Sequence, residues 1–150
     1  MIRHMGAPKP YLHFPGTTGE ALTFYQGVFG GDLILNTFGD FGRDDGPADA
    51  IAHGILSGPV SLYAADTAGG EEPFRSTGLM FSLLGTSSAT ELRAWFDALA
   101  EGGTIREELK VRPWGASDGQ VVDRYGVHWL VGFEDAETET GQGTSAESRS

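Results

Sequence analysis

The chain has 150 residues, of which 39% are hydrophobic, and these values are typical of one domain with its own core. A formal net charge of −11 opposes binding to nucleic acid. No apolar run is long enough to span a membrane, and the N-terminal segment MIRHMGAPKP lacks the apolar core of a signal peptide. The absence of cysteine excludes disulfides and thiol chemistry. We therefore expect a cytoplasmic protein whose partners include neither nucleic acid nor a membrane.

The first half of the chain has the pattern of one helix and four strands. Alternating residue types over 10–15 predict a strand. A helix follows, with Thr17 or Thr18 as its N-cap, and it ends before Gly30. The remaining predicted elements are a strand at 32–37, a long flexible Gly/Asp-rich loop at 38–49, and a hairpin with strands at 50–56 and 60–65.

The second half repeats this order after a linker at 67–75. A strand is predicted at 78–84 and a helix at 88–102, with Ser87 or Ser88 as its cap. The apolar residues Leu92, Trp95, Phe96 and Leu99 have the spacing of a buried helix face. Further strands are predicted at 104–111, 120–123 and 127–133.

The two halves are related by an internal repeat. Aligning Gly30-Gly31 with Gly102-Gly103 gives an offset of 72 residues (102 − 30), and Phe24 then aligns with Phe96. Such units normally bury their apolar faces together. The sequence thus predicts an α+β fold of two βαβββ modules, whose mixed sheets form a cup with the helices on its outer faces. We expect one domain at 10–133, with modules at 10–66 and 77–133, and a mobile polar tail at 134–150.

Three segments resemble a known superfamily. They are YLHFPGTTGEALTFYQGVFGGDL (11–33), IAHGILSGPVSLYAAD (51–66) and WGASDGQVVDRYGVHWLVGF (114–133). The chain is similar in them to the vicinal-oxygen-chelate (glyoxalase/bleomycin-resistance/dioxygenase) superfamily. Within this superfamily the chain resembles the PhnB-like branch, often labelled 3-demethylubiquinone-9 3-methyltransferase, because it contains Trp-Gly followed by Asp-x-Tyr-Gly-Val-x-Trp. The residues do not support that label, because no Gly-rich turn is present to hold a nucleotide-like cofactor.

The resemblance implies four positions at which enzymes of the superfamily hold a divalent metal. In this chain they fall on Lys9 or Pro10, Ser61, Leu79 and Leu130. A divalent ion needs imidazole or carboxylate ligands, which these residues do not supply. We therefore expect no metal and no other cofactor.

Three histidines lie in predicted strands. His13, His53 and His128 could form a metal site, but no carboxylate in the same strands would support them. The simpler interpretation makes each histidine a single polar group that lines a cavity. His53 and His13 are the candidate catalytic residues, as an acid or a base. The alternative for His53 is a hydrogen bond to a backbone carbonyl of the sheet, and His4 belongs to the frayed N-terminus.

Aromatic residues complete the candidate site. Tyr11, Tyr63 and Trp114, together with His128, are the predicted ligand-binding residues, because aromatic side chains dominate small-molecule pockets. Trp114 follows a proline in a turn and is expected at the lip of the pocket. Trp129 alternates out of phase with His128 and is expected in the core.

The charged segments have a simple interpretation and one alternative. The charges of the loop at 38–49 are expected on the surface, although Phe38 and Phe41 would also suit a lid over the pocket. The pairs Glu71-Glu72 and Glu107-Glu108 are expected to be solvated.

Two classes of function remain open at this point. An enzyme would use His53 or His13 as an acid or a base on a small substrate. A binding protein would sequester a small-molecule ligand, as the bleomycin-resistance relatives do, and the charge of −11 would suit a cationic drug. The resemblance also implies a homodimer. The sequence does not identify the ligand.

Overall fold

A computed structural model describes residues 7–134, which divide into two compact units after Phe74. His4 and residues 135–150 of the predicted tail lie outside the described residues, and Glu134 ends a strand. No helix within the described residues has the length and apolar character needed to cross a membrane. The elements are β1 (Tyr11–Phe14), α1 (Thr18–Phe29), β2 (Asp32–Thr37), β3 (Ile51–Ser57), β4 (Leu62–Asp66), β5 (Phe81–Ser82), α2 (Ala89–Ala100), β6 (Thr104–Val111), β7 (Ala116–Val122) and β8 (His128–Glu134).

Each unit contains one helix and one mixed four-stranded sheet. The strand order is β1-β4-β3-β2 in the first unit and β5-β8-β7-β6 in the second. In both units the first strand pairs in parallel with the last, and the remaining pairs are antiparallel. The prediction of an α+β fold with two βαβββ modules is confirmed.

The core of the first unit lies between α1 and one face of its sheet. Leu22 of α1 is fully buried and lies close to Gly54 of β3. A Cβ atom on Gly54 would lie 2.6 Å from Cδ1 of Leu22. Thr17 occupies the N-cap position, but its side chain makes no capping hydrogen bond. The buried carboxylate of Asp66 instead accepts from the amides of Thr18 and Ile51, each at 2.9 Å. A negative group at a helix N-terminus is favourable, and this one also fixes the start of β3.

The core of the second unit forms as the sequence predicts. All four residues of the apolar stripe of α2 are buried, namely Leu92, Trp95, Phe96 and Leu99. Ser88 is the N-cap, and its side chain accepts a hydrogen bond from the amide of Glu91 at 3.1 Å. The helix therefore combines a capping residue with one buried face.

The Gly-Gly pairs occupy equivalent places in the two units. Gly31 precedes β2, and a Cβ at this position would lie 2.4 Å from the carbonyl oxygen of Ser57. Gly103 precedes β6, and a Cβ there would lie 2.3 Å from the carbonyl oxygen of Val122. In each unit the glycine lies against the end of the adjacent strand, so the alignment of the two pairs has a shared structural reason.

The predicted bounds of several strands were wrong. The hairpin strands β3 and β4 lie at Ile51–Ser57 and Leu62–Asp66, one or two residues later than predicted. The predicted strand at 78–84 is reduced to Phe81–Ser82, although the amides of Leu83 and Gly85 continue to bond the carbonyls of β8. β7 begins at Ala116 because the amide of Arg112 bonds the carbonyl of Ala116 and closes a tight hairpin.

The turn between β7 and β8 is organised by one buried carboxylate. Oδ1 of Asp123 accepts from the amides of Tyr125 and Val127, at 2.8 and 3.1 Å. Oδ2 accepts from Nε1 of Trp129 at 2.8 Å. Asp123 is 3% exposed and Trp129 is 1% exposed, which confirms Trp129 as a core residue. The Asp-x-Tyr-Gly-Val-x-Trp pattern is thus a structural motif that satisfies buried donors.

Candidate functional site

Four of the predicted site residues lie on one face of the first sheet. Tyr11 on β1 is directly opposite Tyr63 on the parallel neighbour β4. His13 follows two residues after Tyr11 on the same face. His53 lies on β3, beside β4 in the sheet. We call Tyr11, His13, His53 and Tyr63 the four-ring cluster.

Each ring of the cluster lies close to that of Tyr11. The centroid of the Tyr11 ring lies 5.4 Å from that of His13, 5.6 Å from that of His53 and 6.1 Å from that of Tyr63. The rings of His53 and Tyr63 are 5.7 Å apart and nearly perpendicular. Tyr11 is 43% exposed, whereas the next residue, Leu12, is buried. The cluster therefore offers accessible ring surfaces on a sheet whose opposite face is packed.

A hydrogen bond joins two members of the cluster. The hydroxyl of Tyr11 lies 2.9 Å from Nδ1 of His53. Burial raises the pKa of Tyr11, Arg43 opposes the rise, and Glu71 adds to it. The phenol therefore keeps its proton at neutral pH and can donate it to Nδ1 of a neutral imidazole. His53 thus contacts a side chain, which differs from the backbone carbonyl of the alternative interpretation.

Glu71 is a neighbour that the sequence did not reveal. Its Oε1 atom lies 3.9 Å from Nε2 of His13 and also accepts from the amide of Ala68 at 2.6 Å. The linker reaches the cluster because the amide of Phe74 bonds the carbonyl of His13 at 2.6 Å. Glu71 belongs to a segment without periodicity, so no pattern marks these contacts, although the residue itself is exposed, as expected for a solvated pair.

The loop at 38–49 is attached to the first unit through Phe38. This side chain is 1% exposed, its amide bonds the carbonyl of Ala50 at 2.9 Å, and the guanidinium of Arg43 lies 4.4 Å from its ring centroid. Arg43 also pairs with Asp45 on the surface, with Nε and Oδ1 2.9 Å apart. Phe38 therefore anchors the loop, whereas Phe41 is exposed. A lid function for the loop stays a prediction.

The other two predicted ligand-binding residues lie in the second unit, in different clefts. His128 lines a cleft of about 660 Å³ together with Arg106 and Gln120. Trp114, which is 71% exposed, lines a cleft of about 420 Å³ with Asp118 and Glu134. Trp114 thus lines a cleft that does not include His128, and its place at the lip of a ligand pocket stays a prediction. A pocket common to all six residues stays a prediction.

The positions at which the resemblance places a metal do not fit one. Pro10 and Leu130 lack donor side chains, Leu79 is exposed and apolar, and the hydroxyl of Ser61 faces the backbone of Gly58. Within residues 7–134 no group of three or more His, Cys, Asp or Glu side chains is placed to hold a metal ion. Since a divalent ion needs several such ligands, no chemical step is assigned to a metal here.

Comparisons with known proteins agree on one family. Residues 11–131 match the profile of the Glyoxalase/Bleomycin resistance protein/Dioxygenase superfamily. Protein YjdN of Escherichia coli (strain K12) is 26% identical over 138 residues, which cover 82% of this chain and 92% of that protein.

Solved structures give the same result. The crystal structure of protein PA1353 from Pseudomonas aeruginosa is 35% identical, with a TM-score of 0.69 over 85% of this chain and 96% of that one. A putative 3-demethylubiquinone-9 3-methyltransferase, PhnB protein, from Bacillus cereus has a TM-score of 0.65 at 19% identity, over 85% and 98% of the two chains. At that identity the likeness is one of fold.

Proposed function

Because the chain belongs to the Glyoxalase/Bleomycin resistance protein/Dioxygenase superfamily, we propose that it binds a small planar molecule on the four-ring cluster. The observation that carries this proposal is the convergence of four rings on the open face of one sheet, in which the centroids of neighbouring rings are 5.4 to 6.1 Å apart. Aromatic surfaces with a few polar groups are typical of small-molecule sites.

Charge favours a cationic ligand at this cluster. The faces of Tyr11 and Tyr63 carry negative quadrupole density that attracts cations. Glu71 adds a carboxylate beside His13. The net charge of −11 also raises the local concentration of cations. These features support a ligand-sequestering protein of the resistance type.

A fluorescent planar cation, 9-aminoacridine, tests this binding site. Replacement of Tyr63 by Leu should weaken its binding roughly three- to tenfold, because a ring contact contributes about 0.5–1.5 kcal/mol beyond area burial. Phe24→Leu is the matched control, since it removes a ring from α1 on the other side of the sheet. Fluorescence titration gives the affinities. Equal weakening by both variants, or none by Tyr63→Leu, would contradict the proposal.

Acid–base catalysis is the second candidate, and the hydrogen bond between Tyr11 and His53 favours it. A phenol with a raised pKa keeps its proton near neutral pH and can donate a hydrogen bond to charge that develops on a substrate, and the imidazole that it contacts can orient its hydroxyl. His13, beside Glu71, is the other candidate base. The function is enzymatic if a bound molecule is chemically changed at this pair.

Tyr11→Phe separates the two candidates because it removes the hydroxyl and keeps the ring. Incubation of the purified protein with a metabolite extract, followed by mass spectrometry, identifies molecules that bind and molecules that are consumed. For an enzyme, Tyr11→Phe should lower consumption roughly 100-fold and leave binding of the same molecule within about threefold. Retention without consumption by the wild-type protein would leave sequestration as the function.

The proposal also covers the oligomeric state of the protein and its location in the cell. We propose a single domain at 10–133 that forms a homodimer, because the edge strands β2 and β6 carry the exposed apolar side chains Ile34, Ile105 and Val111, which a second copy would readily cover. The cup and the cytoplasmic location stay predictions from the sequence.

A further inference from the structure

The cleft of about 660 Å³ in the second unit has a lining that differs from the four-ring cluster. His128, Gln120 and Val122 contribute to it from β8 and β7. Val121 and Trp129, the neighbours of these residues along the strands, are buried. Because successive side chains of a strand point to opposite faces, the cleft lies on the face of the sheet away from the buried core.

His128 is held in place in this cleft by two hydrogen bonds. Its Nε2 atom lies 2.9 Å from Oε1 of Gln120, and its backbone amide donates to Oγ of Ser76 at 3.1 Å. The second bond ties the chain before β5 to the start of β8. The cleft therefore has a fixed polar wall, which is the preorganisation that specific binding requires.

The charge of the cleft is opposite in sign to that of the whole chain. Arg106 and His128 are its ionisable lining residues, and no carboxylate lines it. The side chain of Arg106 makes no hydrogen bond or ion pair with another residue between 7 and 134. Burial lowers the pKa of His128, and the nearby positive charge of Arg106 lowers it further, because both disfavour the imidazolium. An anion bound beside Arg106 would offset the effect of this charge.

The remainder of the lining is apolar. Leu79 and Met80 are 45% and 40% exposed, although large apolar side chains are usually covered, and Val122 lies beside them in the cleft. A ligand that contacts both parts of the lining therefore has a charged end and an apolar body.

We propose that this cleft is a binding site for a small organic carboxylate. Arg106 pairs with the carboxylate, Gln120 and His128 stand beside it, and Leu79 and Met80 cover the apolar body of the ligand. A guanidinium is suited to this contact because its planar fork matches a carboxylate. All lining residues of the cleft belong to the second unit, and this proposal does not depend on the function proposed for the four-ring cluster.

Three probes of the same shape test the charge preference. Benzoate, benzamide and benzamidine carry charges of −1, 0 and +1 on one ring, and isothermal titration calorimetry with the full chain compares their affinities. Benzoate should bind best, and Arg106→Gln should weaken it roughly tenfold. Lys110→Gln is the matched control, because it removes the same charge from the same strand outside the cleft. This control should bind benzoate within about twofold of the wild type.

A nuclear magnetic resonance titration locates the binding. Benzoate should raise the pKa of His128, because a nearby anion stabilises the imidazolium, and Arg106→Gln should reduce this benzoate-induced rise. Preference for benzamidine, equal weakening by Lys110→Gln and Arg106→Gln, or an unchanged His128 pKa would overturn the proposal. Binding of inorganic phosphate as tight as that of benzoate would also overturn it, since phosphate has no apolar body.

Discussion

Replacement of Asp123 by Ala should lower the free energy of unfolding by about 4 kcal/mol, because hydrogen bonds to a charged group contribute about 1.5–3 kcal/mol each and their loss leaves donors unsatisfied. The donors affected include the amides of Tyr125 and Val127 and the indole of Trp129. The bonds to Val127 and Trp129 are buried, and the bond to Tyr125 is partly buried. Urea denaturation followed by circular dichroism measures the change.

Asp123→Asn is the matched control, since it keeps the shape of the side chain. In either orientation of the asparagine amide, an NH₂ group replaces one acceptor oxygen and faces at least one N–H donor. We therefore expect the free energy of unfolding to fall by about 2 kcal/mol. Trp129→Phe removes the indole N–H, and the Asn substitution should therefore cost less in that background. A loss below about 1 kcal/mol for Asp123→Ala would contradict the role assigned to this carboxylate.

Gly31→Ala and Gly103→Ala should each lower the free energy of unfolding by about 3 kcal/mol or more, because a Cβ would overlap backbone that cannot move independently. The distances to the carbonyl oxygens of Ser57 and Val122 would be 2.4 and 2.3 Å. Gly31 also has a φ angle of +113°, which an alanine adopts only with strain. Thermal or urea denaturation of the two variants measures both effects.

Gly27→Ala provides the internal control for this pair. Gly27 lies in α1, and a Cβ there would meet nothing within 4 Å. Alanine is the better helix former, so this variant should gain about 0.5–1 kcal/mol. A neutral Gly103→Ala beside a damaging Gly31→Ala would show that the second Gly-Gly pair is not structurally equivalent to the first.

The strands that were predicted with correct bounds are those marked by a local residue pattern. The bounds of β2 and β6 agree with the prediction, because each follows a Gly-Gly pair that ends the preceding helix region. Strand β5 was overestimated because its apolar residues look like a strand, while only Phe81 and Ser82 keep the regular ladder. Strand β7 was underestimated because Asp118 and Gly119 interrupt its apolar pattern.

The candidate site depended on information that is not local. Alternation along β1 places Tyr11 and His13 on one face, as predicted. The contact of Tyr11 with His53 depends on the parallel pairing of β1 with β4 and on the position of β3 next to β4. The residue pattern within these strands predicts neither pairing. Arg106 was missed because a single cation on an exposed strand has no distinguishing pattern.

The parallel pairing of the first strand with the last also constrains how each unit folds. Tyr11 and Tyr63 are partners across β1 and β4, so the first unit joins segments about fifty residues apart in the chain. Contacts between such distant segments slow folding, because the entropy of closing the intervening loop is lost before they form. The helix and the β3–β4 hairpin can form from neighbouring residues during synthesis, whereas β1 has no partner until β4 has been made. The four-ring cluster is consequently assembled only when the last strand of the unit is in place.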